Sequence, residues 1–216
     1  MATTVDREIA APGLNGRVDL RLICQLVEKG STVLDLGCGD GELMELLIRE
    51  RQVKARGVEI SEEGIYACIS RGLSVHHSDL DEGLEDYPDG SFDYVILSQT
   101  LQAVYKPKMV LLEMLRVGRL GIVTFPNFAY WQVRLQLALR GRMPKTGDLP
   151  YEWYDTPNIH LTTISDFLAL CRQEGISVVK ALYLSGTRSV TLFPNLLART
   201  GIFVIQKRSP LSLGEG

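Results

Sequence analysis

No stretch of this 216-residue chain approaches the roughly 18 consecutive apolar residues that a membrane-spanning helix needs, which argues against an integral membrane protein. Nor does the opening segment, MATTVDREIAAPG, have the basic-then-apolar layout of a secretory leader. Basic charge is not in excess. With 23 Lys and Arg against 26 Asp and Glu, the net charge is −3, so no electrostatically driven nucleic-acid binder is expected beyond a local patch. Cysteine is scarce: Cys24, Cys38, Cys68 and Cys171 form no C-x-x-C pair, and the 3 histidines make no close cluster with them. A disulfide framework and a metal centre are therefore not expected, and a reducing, cytoplasmic setting is the simple reading. Internal repeats and low-complexity tracts are also missing.

What is present is globular composition, with 45% hydrophobic and 23% charged residues. The length predicts one domain over 17–208, flanked by an arm at 1–16 and a loose tail at 209–216. Leu20, Ile23 and Val27 share a helical face and predict a helix over 18–30. Strands are predicted at 32–36, 53–60, 73–76, 92–98 and 121–125, with helices at 42–50, 62–71 and 108–117 between them. Ile164, Phe167, Leu168 and Cys171 predict one further helix, and strands at 176–184 and 201–206 close the chain. Alternating strands and helices mean a mostly parallel, seven-stranded sheet covered on both faces. The last two strands have no helical pattern between them and are expected to pair antiparallel at the edge. Asp81, Glu82, Glu85, Asp86 and Asp89 read as solvated charge on an acidic loop at 80–91.

The most informative segment is V-L-D-L-G-C-G-D-G-E, residues 33–42, between the first strand and the next helix. Gly37, Gly39 and Gly41 permit positive φ and close backbone approach to a ligand. The helix beginning near Glu42 offers free N–H groups and a positive dipole end. A dinucleotide site prefers G-x-G-x-x-G, whereas this turn is G-x-G-x-G followed by Glu42. A pyrophosphate would also meet Asp35, Asp40 and Glu42. A sulfonium ligand with one ammonium and one carboxylate tolerates those acids better. Cys38 reads as a small side chain filling space in the turn rather than as a nucleophile.

This turn resembles the first motif of the class I S-adenosylmethionine-dependent methyltransferases. The resemblance implies a Rossmann-like domain that binds S-adenosylmethionine or S-adenosylhomocysteine. It places Asp35, Gly37, Cys38, Gly39 and Gly41 in the cofactor loop. Glu59, followed by Ile60, stands where the family's ribose-binding acid ends the second strand. Asp79 and Leu80 stand where an Asp and the next backbone N–H meet the adenine, and Ser98 ends the fourth strand beneath the cofactor. His76 and His77, at the third strand's end, read as structural or near the adenine.

The acceptor side is less legible. No N-P-P-Y-like motif follows the fourth strand; the sequence there is S-Q-T-L-Q-A, residues 98–103. His160, Gln102 and Asn127 are the candidate catalytic groups. Methyl transfer is in-line displacement, and holding the acceptor near the methyl carries much of the rate, so a missing base decides little. The insertion at 126–160 is distinctive. Trp131, Leu135 and Leu139 form one helical stripe among Arg134, Arg140, Arg142 and Lys145, and Tyr151, Trp153 and Tyr154 follow. It could serve as a substrate lid, a partner-docking surface or a membrane-surface element, or simply pack its stripe on the core.

The segments T-L-Q-A-V, F-P-N-F, R-G-R-M-P, L-P-Y-E-W-Y-D-T-P-N-I-H-L and F-P-N-L-L, with the glycine turn, resemble the MetW family of methionine-biosynthesis proteins. That resemblance implies work alongside the homoserine O-acyltransferase MetX. Two readings stand: a cofactor-binding partner or regulator of that acyltransferase, and an active methyltransferase on an unidentified small molecule.

Overall fold

The computed structural model describes residues 17–147 and 149–208. The arm and tail expected at 1–16 and 209–216 lie outside these residues. In chain order the first elements are α1 (Val18–Leu26), β1 (Thr32–Leu36), α2 (Glu42–Arg51), β2 (Lys54–Glu59), α3 (Glu62–Ser70) and β3 (Val75–His77). A 3₁₀ turn at Leu80–Glu82 leads to β4 (Phe92–Ser98), α4 (Pro107–Val117) and β5 (Gly118–Pro126). The chain continues through α5 (Trp131–Arg140), α6 (Ile164–Gln173), β6 (Ile176–Ser185), β7 (Arg188–Ser189), α7 (Pro194–Leu197) and β8 (Thr200–Lys207).

The strands form one sheet in the order β3-β2-β1-β4-β5-β8-β6-β7. Neighbours from β3 to β5 are parallel, while β8 runs antiparallel to both β5 and β6. The side-chain period of a strand explains how both faces are covered. Leu34 and Leu36 of β1 point into a core with Val110, Leu111 and Met114 of α4 and Phe167 of α6. Val33, one residue before Leu34, points the other way, against Ile23 of α1 and Leu46 and Leu47 of α2. Strands buried on both sides carry near-continuous apolar runs, as β4 does in Phe92–Ser98.

Local chemistry sets the helix boundaries. Glu42 and Glu45 lie in the first turn of α2, and Arg49 and Arg51 in its last, as the helix dipole favours. The Thr163 hydroxyl caps α6 by accepting the Asp166 N–H at 3.1 Å. Asp81 does the equivalent work ahead of α4, accepting the Tyr105 and Lys106 N–H groups at 2.9 and 2.6 Å.

Several expectations need correction. The sheet has 8 strands rather than seven, because a turn at Gly186 lets two residues of β7 pair back on β6. The first helix stops at Leu26, not at Gly30; Val27 is already extended, with ψ 131°, although its side chain stays buried. The acidic loop has one exception to solvated charge: Asp81 caps a helix, whereas Asp86 and Asp89 stay exposed while meeting His76 and Arg116 at 3.4 and 2.6 Å. Most consequentially, the 131/135/139 stripe of α5 does not pack on the core. Val133 is the buried residue of that helix, against Tyr130 and Leu149, while Trp131, Leu135 and Leu139 are exposed. Among the described residues no helix is long and apolar enough to cross a membrane.

Candidate functional site

The strand order reverses direction at β1, whose neighbours are β2 on one side and β4 on the other. In open α/β sheets a crevice forms beyond the carboxyl ends of the strands at such a switch point. Here it is a cleft of about 200 Å³ lined by Asp35, Gly37, Cys38, Gly39, Asp40, Ser98 and Gln99, with Arg17 and Glu42 at its rim.

All three turn glycines have positive φ (69°, 55° and 81° for Gly37, Gly39 and Gly41), but they serve different ends. A Cβ at Gly37 would lie 2.6 Å from the Thr100 methyl, and one at Gly41 would lie 3.0 Å from Cys68 Sγ. Those two glycines let the loop pack against the protein. A Cβ at Gly39 would meet nothing within 4 Å. Gly39 is thus the point where the backbone is bare toward open space.

The loop is pinned from β2. Val58 O accepts the Gly37 and Cys38 N–H groups at 2.8 and 3.2 Å. The buried Glu59 carboxylate accepts the Gly39 N–H at 2.7 Å through Oε2, and the Ile60 and Ser61 N–H groups at 3.0 and 2.9 Å through Oε1. Behind the loop, Cys38 and Cys68 sit with their sulfurs 3.8 Å apart. Burial pushes both thiols up, so neither is a thiolate nucleophile, consistent with Cys38 acting as filler.

The cleft is acidic. Asp35 is buried, and burial together with repulsion from Glu59 raises its pKa to about 7. Asp40 is offset by Arg71 at 2.9 Å, and Arg17 is held by Asp19 at 3.0 Å. Farther along, Asp79 spends Oδ1 on the Asp81 N–H at 2.9 Å. Leu80 is buried, Ile60 is 59% exposed, and the His77 ring sits 3.2 Å from Ile60 O. Ser98 Oγ lies 3.4 Å from Thr124 Oγ1.

On the acceptor side the three candidates separate. Asn127 is buried and fully engaged: its Nδ2 donates to Asn195 O and Ala198 O, and its Oδ1 accepts from the Ala129 and Ile164 N–H groups. It is a strut between the end of β5, α7 and the start of α6. Gln102 Nε2 donates to Gln99 O at 2.6 Å, and Gln102 O accepts the His160 N–H at 3.0 Å. The structure therefore brings Gln102 and His160 together one step from the cleft-lining Gln99. Gln102 Oε1 and His160 Nε2 are buried without a hydrogen-bond partner among the described residues.

Arg17 went unnoticed as a cleft residue in the sequence; it reaches the cleft from before α1 and has no local signature. Gln99, in the S-Q-T-L-Q-A segment read as the acceptor side, does line the cleft and adopts φ 57°, a left-handed conformation uncommon for a residue with a side chain.

The sheet order and the cleft's place in it define an α/β fold of the S-adenosylmethionine-dependent methyltransferase type. A solved methyltransferase of that class from Archaeoglobus fulgidus superposes with a TM-score of 0.66 at 18% identity, covering 88% of this chain and 91% of that one. The [4+2]-cyclase SpnF superposes at 0.64 with 16% identity, covering 90% of this chain and 85% of that one, so the fold alone does not fix a reaction. More narrowly, residues 17–205 match the family described as methionine biosynthesis protein MetW, and the chain belongs to that family. It is 37% identical over 206 residues to the bifunctional methionine biosynthesis protein MetXA/MetW of Rhodopirellula baltica, covering 89% of this chain and 33% of that protein. The chain thus spans about a third of that relative's length. A demethylmenaquinone methyltransferase of Listeria welshimeri is 27% identical over 186 residues, covering 77% of this chain and 79% of that protein.

Proposed function

We propose that this MetW-family chain binds S-adenosylmethionine or S-adenosylhomocysteine in the switch-point cleft and acts as a partner or regulator of homoserine O-acyltransferase. The observation that carries the cofactor reading is Gly39: bare toward open space, yet fixed by the buried carboxylate of Glu59. The donor set fits such a ligand. Glu59 retains acceptor capacity for ribose hydroxyls, and Asp35 supplies negative charge suited to a sulfonium or ammonium. Asp79, the Leu80 N–H and the exposed Ile60 would hold the base. Gly37, Cys38, Gly41 and Ser98 shape the cradle. The bound compound would supply an electrophilic methyl; the chain's own residues bind and orient it.

The partner reading is supported by the relative that carries MetXA and MetW in one name. The four buried, free cysteines suit a reducing cytoplasm. A second reading, methyl transfer to a small molecule, is favoured by one observation, the unmet hydrogen-bonding atoms of Gln102 and His160 beside the cleft.

Calorimetry with S-adenosylmethionine, S-adenosylhomocysteine and NAD tests the cofactor. Saturable binding of the first two and none of NAD is expected; the reverse preference refutes the cleft assignment. Adding the chain to purified homoserine O-acyltransferase should alter its activity or co-elute with it. Transfer of labelled methyl to an extract component, with no effect on the acyltransferase, would favour the second reading.

A further inference from the structure

The exposed apolar groups of this chain are not scattered. Trp131, Leu135 and Leu139 stand 40%, 47% and 75% exposed along α5, and Leu139 is the more telling because nothing in the fold requires its exposure. A second set surrounds α7, where Leu192 and Phe193 are 70% and 74% exposed. The N-terminal end of α5 is tied to α7. Asn127, at the start of the insertion, is hydrogen-bonded to both ends of α7, and the Arg199 guanidinium lies 5.2 Å from the Tyr130 ring. Tyr130 in turn contacts Trp131.

Phe193 makes the second set informative. Its φ is 48°, a left-handed conformation, and it immediately precedes Pro194 at the start of α7. A bulky residue before proline rarely adopts this region, and glycine would do so without strain. The fold therefore bears a strained aromatic residue without burying its ring. Strain of this kind is ordinarily held where a residue does something for binding, and an exposed Phe is of the aromatic class enriched at protein interfaces.

Charge narrows the occupant. Between Pro126 and Thr146 the chain carries Arg134, Arg140, Arg142 and Lys145 and no acid, and of these Lys145 is met by Glu152 at 2.8 Å. A second copy placed symmetrically on this face would set like charges against one another. The surface instead suits a different protein with an apolar patch rimmed by acids. We infer that the α5 stripe and the Phe193 corner together form the surface that docks homoserine O-acyltransferase. This assignment rests on the partner reading above and adds to it the face that does the work.

The test uses the full chain and the purified acyltransferase, with affinity measured by calorimetry or interferometry. Wild type should bind, more weakly as salt rises. The double variant Leu135→Glu/Leu139→Glu should lose at least tenfold in affinity, as should Phe193→Gly, each with unchanged binding of S-adenosylhomocysteine. Phe193→Gly should also keep or raise Tm, a combination that simple unfolding cannot produce. If wild type does not bind the acyltransferase, the partner reading itself fails. If wild type binds and both variants bind within twofold of it, only the surface assignment fails. Dimerisation of the chain alone, or binding to anionic phosphatidylglycerol vesicles, abolished by the same substitutions while acyltransferase binding persists, would also overturn the assignment.

Discussion

Glu59 Oε2 accepts the Gly39 backbone N–H at 2.7 Å, so the carboxylate that ends β2 and the glycine loop that follows β1 are one mechanical unit. The same carboxylate, through Oε1, holds the Ser61 N–H, and Ser61 caps α3. Gly64 on that helix completes the arrangement, since a Cβ there would sit 2.8 Å from Gly39 O. A residue whose acid chemistry suits ribose hydroxyls thus also fixes the loop that would surround the ligand. Binding and local order are coupled through one side chain.

Glu59→Ala should therefore do two things at once. Removing an ionised acceptor leaves the Gly39, Ile60 and Ser61 N–H groups short of their partner, which should cost about 3 kcal/mol of stability. Affinity for S-adenosylmethionine should fall at least tenfold. Glu59→Gln keeps one acceptor oxygen and should recover part of the stability. Urea denaturation and calorimetry on the two variants check this, and an alanine variant as stable as wild type would contradict the coupling.

Glycine positions near the loop should respond in opposite ways. Gly39→Val adds a side chain where no protein atom lies within 4 Å, at φ +55°, so it should fold with a penalty of about 1–2 kcal/mol and lose cofactor binding. Gly57→Ala would bring a methyl 2.5 Å from Cys38 Sγ and 2.8 Å from the Met44 methyl, so its damage should appear as lost stability. Thermal melts with and without S-adenosylhomocysteine separate the two. A Gly39→Val chain that still shifts its Tm with ligand removes the loop from the site.

Asp35 sets a pH dependence. Its folded pKa of about 7 lies above the 3.8 of a free aspartate, because burial and Glu59 disfavour the charge. Between those values the folded state holds a proton that the unfolded state has released, so stability falls as pH rises from about 4 and the loss is complete above about 7. That loss is on the order of 4 kcal/mol. A cationic ligand favours ionised Asp35, so affinity should rise with pH through neutrality and a proton should leave on binding. Asp35→Asn should flatten both profiles. Calorimetry in two buffers of different ionisation enthalpy measures the proton release, and identical heats in both would refute it.

Much of this was legible in the sequence, and the failures have physical causes. The strands at Thr32–Leu36 and Phe92–Ser98 were bounded correctly because buried apolar runs stop abruptly at turn residues. The family resemblance placed Glu59 at the end of β2, but that its carboxylate would grip Gly39 was not visible. β7 and α7 were missed because two and four residues cannot display a period. Periodicity found the stripe on α5 but could not say whether a core lay beneath it; only Val133 has one. Arg17 enters the cleft through tertiary folding, from a position with no local mark.

Asn127 had been a candidate for chemistry, and its environment makes a different prediction. Its amide donates to Asn195 O and Ala198 O at 3.1 and 2.8 Å and accepts from the Ala129 and Ile164 N–H groups at 3.1 and 3.3 Å. Asn127→Ala leaves two carbonyls and two N–H groups in a buried place without that partner, which should cost about 2–4 kcal/mol. Asn127→Asp keeps the acceptors and loses the donors, so it should be nearly as harmful. Because the strut joins α7 to the start of the insertion, proteolysis should begin near residues 190–198 in both variants. Affinity for S-adenosylhomocysteine, read below the lowered Tm, should stay within about twofold of wild type, since no atom of Asn127 lines the cleft. A variant with native stability but no methyl transfer would instead return Asn127 to the chemistry.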